Sequence, residues 1–406
     1  MNPPEIFGIP IEFLLFGTTL IAVALLHRHT LQVALTGLVV IFSYKLLVTG
    51  FADGNGLVGA IGHFNHEWIM LANLFGLLTG FAVLARHFEQ SGFPDLMPDY
   101  LPDNWTGGLV LLGIVFVLSS FLDNIAAALI GGTTARHVFR SRVHIGYLAA
   151  LVAAANAGGS WSVIGDTTTT MMWIDGISPL VVLEAIIAAV VSFAVFAALA
   201  ARQQHRYSPI VKDAPKGLRL SASRLLIVGL ILLTAITANV TSNVYFPDVP
   251  NHVPILGLAV WVAILVTALL RRPDWSVVPG AVKGSIFLLS LVLCASMMPV
   301  ERLPSASWQT ALGAGFLSSV FDNIPLTALA LKQGGYDWGY LAFAVGFGGS
   351  IMWFGSSAGV AVSNLYPEAK STIDWLRQSW FVPLSYVLGF LAMLLIIGWH
   401  PDERHN

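Results

Sequence analysis

Charge is what this sequence has least of: only 10% of its 406 residues are Asp, Glu, Lys or Arg, and 22 acidic against 20 basic groups leave a net charge of −2. No basic surplus is available for a nucleic-acid partner. Cysteine is nearly absent too, so no intrachain disulfide can form, and the lone Cys294, set in an apolar run, reads as packing. With no thiolate or imidazole cluster, a zinc or copper centre is not expected, nor any other resident cofactor. No Lys or Arg precedes Arg28, so the positive segment of a cleaved signal is missing and 8–26 reads as a retained first span.

What is present instead is hydrocarbon. Hydrophobic residues make up 56% of the chain, more than a soluble core can hide. Runs such as 180–201 and 386–399 approach the roughly 20 residues that a spanning helix needs. The fold class expected is an all-α polytopic membrane protein.

Hydropathy and turn residues place spans near 8–26, 31–50, 67–88, 144–173 and 178–201, and again near 223–241, 253–271, 282–299, 338–364 and 379–399. Segments 107–138 and 308–332 each carry Asp-Asn near the middle. The order is the same twice: three spans, an Asp-Asn segment, a glycine-interrupted span, a final span. If both Asp-Asn segments are re-entrant hairpins, each half crosses five times and the second half is inverted. The distribution of Lys and Arg favours this, because all of them except Lys45, Arg302, Lys332 and Arg404 then fall in or beside cytoplasmic loops. The domains expected are a first repeat over 1–201, a cytoplasmic linker over 202–222 and a second repeat over 223–406, with both termini outside. The loop 93–105 is expected to cap the cytoplasmic mouth of the first hairpin, and no chemistry is assigned to it.

Aligned at Asp-Asn, "LSSFLDNI" (118–125) meets "LSSVFDNI" (317–324). Downstream, "NAGGSWSVIGDTTTT" (156–170) meets "GFGGSIMWFGSS" (346–357), with Gly159 to Gly165 spaced as Gly349 to Gly355. Irregular backbone inside a bilayer survives only where protein or a water-filled cavity satisfies its polar groups. Gly158, Gly159, Gly348 and Gly349 allow two such breaks and a close backbone approach. Unwound carbonyls and half-helix ends are where inverted-repeat transporters bind ions.

Asp123, Asp166 and Asp322 are the carboxylates expected at depth, where an unpaired one costs roughly 2.5–3.5 kcal/mol at a helix centre. A carboxylate held out of water takes either a proton or a cation, and competition between them gives exchange. Oxygen ligands for a small hard cation are available from these groups, from Asn124, Asn156 and Asn323, and from the hydroxyls of Ser119, Ser318 and Thr167 to Thr170. Four consecutive threonines cannot all face one site on a helix, so at most two are expected as ligands. Ser356 stands where the first half has Asp166. Lys45 and Glu184 lie within spans, and His63, His66 and Glu67 are read as solvated loop residues at an outer mouth.

The hairpin "SSFLDNIAAALIGGT", the break "AANAGGSWSVIGDTTTTMMW" and the second-half "FDNIPLTALAL" and "GFGGSIMWFGSS" together resemble the ion transporter superfamily, most of all its NhaD-type sodium/proton antiporters. The resemblance implies a homodimer in the bacterial cytoplasmic membrane, embedded in lipid. Each protomer would carry a scaffold of early spans and a moving domain of hairpins, broken helices and final spans. It implies secondary transport of Na+ or Li+ against H+, with ion ligands at Asp123, Asn124, Asn156, Asp166, the neighbouring threonines, Asp322 and Asn323. Ile125 and Ala126 to Ala128 stand where NhaD-type tips continue with threonines. A cation-coupled anion carrier of the same superfamily, for a dicarboxylate, citrate or arsenite-like cargo, is the alternative. An intramembrane aspartyl protease does not fit, since position 163 is Val where its motif needs Gly. No enzyme activity is expected.

Overall fold

The computed structural model describes residues 4–26, 29–52, 54–211, 220–246, 249–250 and 252–401. The middle of the linker (212–219) therefore lies outside the described residues, as do Arg28 and Arg404. Among the described residues the chain is predominantly helical, with a two-residue antiparallel pairing of Glu5–Ile6 with Ile9–Pro10 and an isolated bridge between Phe51 and Gly54. Five helical stretches among the described residues are long and apolar enough to cross a membrane: Thr30–Thr49, Gly56–Glu89, Pro179–Tyr207, Ala222–Ser242 and Trp275–Ser296. A sixth is formed if Thr372–Gln378 and Phe381–Ile396, bent by 58°, are one span. This is a multi-pass membrane protein.

The chain divides into two compact units, each drawing on both halves of the sequence. The first comprises 1–84, 229–304 and 324–334. Within it Ile11–Leu25 packs on Thr30–Tyr44, which packs on Val278–Ser296. The helix Gly56–Glu89 crosses Ile255–Thr267 at Gly76 and Gly257, where a Cβ on Gly76 would stand 2.7 Å from the Gly257 Cα. Small residues at a crossing let polar groups of one backbone reach the other helix. Accordingly Gly257 N donates to Asn73 Oδ1 at 3.1 Å, and Trp261 Nε1 donates to Gly76 O at 3.0 Å.

His63 and its neighbours are not loop residues. The helix Gly56–Glu89 takes in His63, His66 and Glu67, and His63 is buried with its Nε2 3.0 Å from Ser296 Oγ. Polar residues every few positions disguise the start of this helix as loop, although His63 within it is buried against Ser296.

The second unit comprises 85–228, 305–323 and 335–406. Its centre is formed by Ile145–Gly159 and Trp338–Gly348, which are buried along their whole length from Gly146 and Trp338 onward. Trp105–Ser119 packs on the first and Trp308–Ser318 on the second, while Ile186–Tyr207 packs on Phe381–Ile396. Phe343 and Phe347 stack on Tyr386, whose hydroxyl donates to Leu312 O at 2.8 Å. The stretch 93–105 is not all loop: with Pro94 in its first turn, Phe93–Tyr100 forms a short helix that packs on Asn124–Val138.

Candidate ion site

Both Asp-Asn segments and both glycine breaks are helix interruptions. Trp105–Ser119 stops, and Asp123 restarts the chain as Asn124–Val138 by accepting Ile125 N at 2.9 Å. The two arms pack on each other as a hairpin. In the second half Trp308–Ser318 stops and Asn323–Gln333 starts after Asp322. Ile145–Gly159 and Trp338–Gly348 break likewise, resuming at Thr167–Ile174 and Ser357–Leu365.

Glycine makes the breaks possible by close approach. A Cβ on Gly158 would stand 2.8 Å from the carbonyl carbon of Phe116, and one on Gly348 would stand 2.6 Å from that of Gly315. At Gly159 it would meet Gly165 O at 2.8 Å, and at Gly349 it would meet Gly355 O at 2.9 Å. The same local packing thus occurs twice, once in each half.

The residues after the breaks share a backbone conformation and differ in what their side chains do. Asp166 has φ −142°, ψ 149° and Ser356 has φ −140°, ψ 155°. Ser356 Oγ caps its own helix, accepting Gly359 N at 3.2 Å. The Asp166 side chain makes no helix-capping hydrogen bond and instead receives both tips and the Thr168 hydroxyl of its own helix. Asn124 Nδ2 donates to its Oδ1 at 3.2 Å, Asn323 Nδ2 to its Oδ2 at 3.2 Å, and Thr168 Oγ1 to Oδ2 at 2.8 Å. Asp166 is 3% exposed, so these hydrogen bonds form away from water. It also lies at the amino end of a helix, where the aligned peptide dipoles favour negative charge.

Asn156 ties the first break to the second. Its Oδ1 accepts Asn124 Nδ2 at 3.1 Å, and its Nδ2 donates to Ser350 Oγ and Ser356 Oγ, each at 3.0 Å. Its counterpart Gly346 contributes space instead: a Cβ there would lie 3.5 Å from Asp166 Oδ2. The halves therefore agree in backbone and disagree in chemistry, and one carboxylate rather than two stands at the junction.

The other candidate residues sort themselves around this centre. Asp123 and Asp322 are half-buried at the tips; the latter accepts Ser357 Oγ at 3.3 Å. Of the four threonine hydroxyls, that of Thr168 bonds to the Asp166 carboxylate. Thr169 and Thr170 donate to Ser162 O and Val163 O and so knit the break, and Thr167 is buried in the first turn. Ser318 Oγ donates to Val345 O at 2.6 Å, a packing role, whereas the buried Ser119 Oγ has no hydrogen-bond partner among the described residues. The sequence reading passed over Ser350 as a partner and knew Ser356 only as the counterpart of Asp166. Their repeat-equivalent positions, facing Ser160 and Asp166, are the signal that could have found them.

Lys45 and Glu184 take no part in this cluster. Lys45 opens a π-helical turn, Lys45–Thr49, with its Nζ 6.0 Å from the centre of the Phe51 ring. Glu184 is exposed where Pro179–Leu183 gives way to Ile186–Tyr207.

No protein-family model matches the chain. It is 28% identical to Sodium/proton antiporter 1 of Arabidopsis thaliana over 73% of its length, and the match spans 56% of that protein. Sodium/proton antiporter 2 of the same plant is 28% identical over 69% of this chain and 74% of its own. The Na(+)/H(+) antiporter NhaD of Vibrio cholerae is 25% identical over 70% of this chain and 69% of its own. With its duplicated Asp-Asn tips and glycine breaks, the chain is a relative of the NhaD-type sodium/proton antiporters.

Proposed function

We propose that this protein is a secondary antiporter that exchanges Na+ or Li+ for H+ across a bacterial cytoplasmic membrane. The observation that carries the reading is Asp166: a single buried carboxylate on which both tips and one break converge, within hydrogen-bond reach of the Asn124 and Asn323 amides and the Thr168 hydroxyl, groups whose oxygens can ligate a small hard cation. Proton and cation compete for the same oxygens, so loading one expels the other. Na+ and H+ are cargo, and no resident cofactor has a part. The antiporter relatives support the same assignment.

The transport cycle proposed is alternating access of the elevator type. In its support, every candidate ligand belongs to the second unit. That unit draws on both halves of the sequence, although 324–334, the counterpart of 125–135, belongs to the first unit. The working form proposed is a homodimer in lipid with both termini outside.

Purified protein in proteoliposomes with a trapped pH dye tests the activity. Addition of Na+ or Li+ to one side should collapse an imposed pH gradient, and Asp166→Asn should not. Uptake of citrate, succinate or arsenite with no cation-driven proton movement would replace this reading with an anion carrier.

A further inference from the structure

The residues placed immediately before the two central helices of the second unit behave differently. His144 caps Ile145–Gly159, its Nδ1 accepting Gly146 N at 3.1 Å. Asp337 makes no capping hydrogen bond to Trp338–Gly348, although the Gly339 and Tyr340 amides face its carboxylate. It is 1% exposed. Its Oδ2 accepts His400 N, 63 residues further on, at 2.8 Å. Its Oδ1 is sealed from water and has no hydrogen-bond partner among the described residues.

His400 belongs to a short segment fastened to the start of this helix at three successive residues. Past the end of Phe381–Ile396, Gly398 turns the chain with a φ of +74°, which a side chain would resist. Gly398 O accepts Tyr340 Oη at 2.6 Å, the Trp399 ring centre lies 5.3 Å from that of Tyr340, and His400 N reaches Asp337. Asp337 and Tyr340 stand three positions apart, so one helix turn holds the whole segment.

A buried carboxylate oxygen without a donor is costly when charged and much less so when neutral. Sealed as it is, Oδ1 offers no surface on which a hydrated cation can settle, whereas a proton needs none. The titratable groups around Asp337 are Glu184, Tyr340 and His400. Glu184 is acidic and close: a Cβ on Gly339 would lie 3.2 Å from the Glu184 Cβ. Tyr340 Oη is engaged by Gly398 O, and His400 reaches the carboxylate through its backbone. Burial raises the Asp337 carboxyl to about 6, with the His400 N–H opposing the shift and Glu184 adding to it.

We propose that Asp337 is a proton-binding site distinct from Asp166, and that its proton fastens the segment Gly398–His400 onto the start of Trp338–Gly348. The assignment does not depend on the exchange chemistry at Asp166. Opening the segment returns the carboxyl to water and to an ordinary pKa of about 4, so the closed form binds the proton more tightly. Closure is therefore fully favoured below about pH 4 and weakens as the pH rises through about 6, by up to about a hundredfold. Trp338–Gly348 leads into the second break, so the same fastening holds the far end of the helix that carries that break.

Hydrogen–deuterium exchange of the purified full-length protein in detergent tests this from about pH 4 to about pH 8. Mass spectrometry reads the peptide that holds 397–401, corrected for the intrinsic pH dependence of exchange. Protection should fall by up to about a hundredfold between about pH 4 and pH 6 and then level off. Asp337→Asn keeps an oxygen for His400 N and carries no charge, so its protection should stay high throughout. Glu184→Gln and His400→Gln alter exposed side chains and leave the Asp337 carboxyl and the His400 N–H in place, so both should keep the dependence. Wild-type protection that does not change with pH overturns the proposal. So does Asp337→Asn that still titrates. Loss of the dependence in Glu184→Gln or His400→Gln also overturns it, because that side chain would then be the titrating group. Wild type and the two surface variants decide the question if Asp337→Asn does not fold.

Discussion

Replacing Gly158 by alanine tests whether close backbone approach is what holds the first break in place. The added methyl would stand 2.8 Å from the Phe116 carbonyl carbon, 3.0 Å from its Cα and closer still to its oxygen. Carbon atoms sit comfortably at about 3.5–4.0 Å, so the helix Ile145–Gly159 must retreat from Trp105–Ser119 by about 0.7 Å or more. The obstacle is backbone, which no rotamer change relieves. Overpacking of this kind costs about 1–3 kcal/mol. In a unit of this size that is a fall in thermal midpoint of roughly 2–4 °C per kcal/mol. Gly108→Ala serves as the control, since its methyl would meet Tyr147 Cε2 at 3.4 Å, an ordinary contact, and should stay within about 0.5 kcal/mol. Thermal unfolding of both variants in detergent, followed by the pH-dye assay, reads stability and transport separately. Gly158→Ala should also lose exchange, because Asn156 lies two residues away on the displaced helix. A Gly158→Ala variant as stable and active as Gly108→Ala would refute the argument.

Three further predictions follow from the site. Asp166→Asn should abolish cation–proton exchange and destabilise the protein by about 1–3 kcal/mol, because an amide nitrogen would face one or more of the donors now held by the carboxylate; dye assays and thermal unfolding measure the two effects. Asp123→Asn and Asp322→Asn should also abolish exchange but leave the thermal midpoint nearly unchanged, since Asn preserves the shape and can still cap the helix that Asp123 begins. Tyr366→Phe removes the hydroxyl that donates to Gly132 O at 2.8 Å within the second unit, and should lower stability by about 1 kcal/mol while Na+ and H+ still exchange.

Much of the site was written in the sequence because it was written twice. Asp-Asn after Leu-Ser-Ser, and glycines six residues apart after Gly-Gly, point to interruptions within 107–138, 144–173, 308–332 and 338–364, and helices break inside these segments at 119–124, 159–167, 318–323 and 348–357. The errors fell where periodicity carries little information. His63 and His66 read as solvated loop because polar residues dilute the apolar signal, yet the first of them is buried against Ser296 in a long helix. The short helix Phe93–Tyr100 hides behind its prolines, although Pro94 at its start is compatible with helix.

By itself the sequence determined the class of the protein and the residue types at both tips and both breaks, because hydropathy, glycine and a repeated motif are local properties. Only the tertiary structure decided which of them meet. Asn156 reaches Ser350 and Ser356, 194 and 200 residues away, and Asn323 reaches Asp166 across 157. It also decided that Asp166 receives both tips while Ser356, in the same backbone conformation, caps its own helix. Hydrogen-bond partners so far apart in the chain are fixed by how buried helices pack, and that packing leaves no period in the sequence.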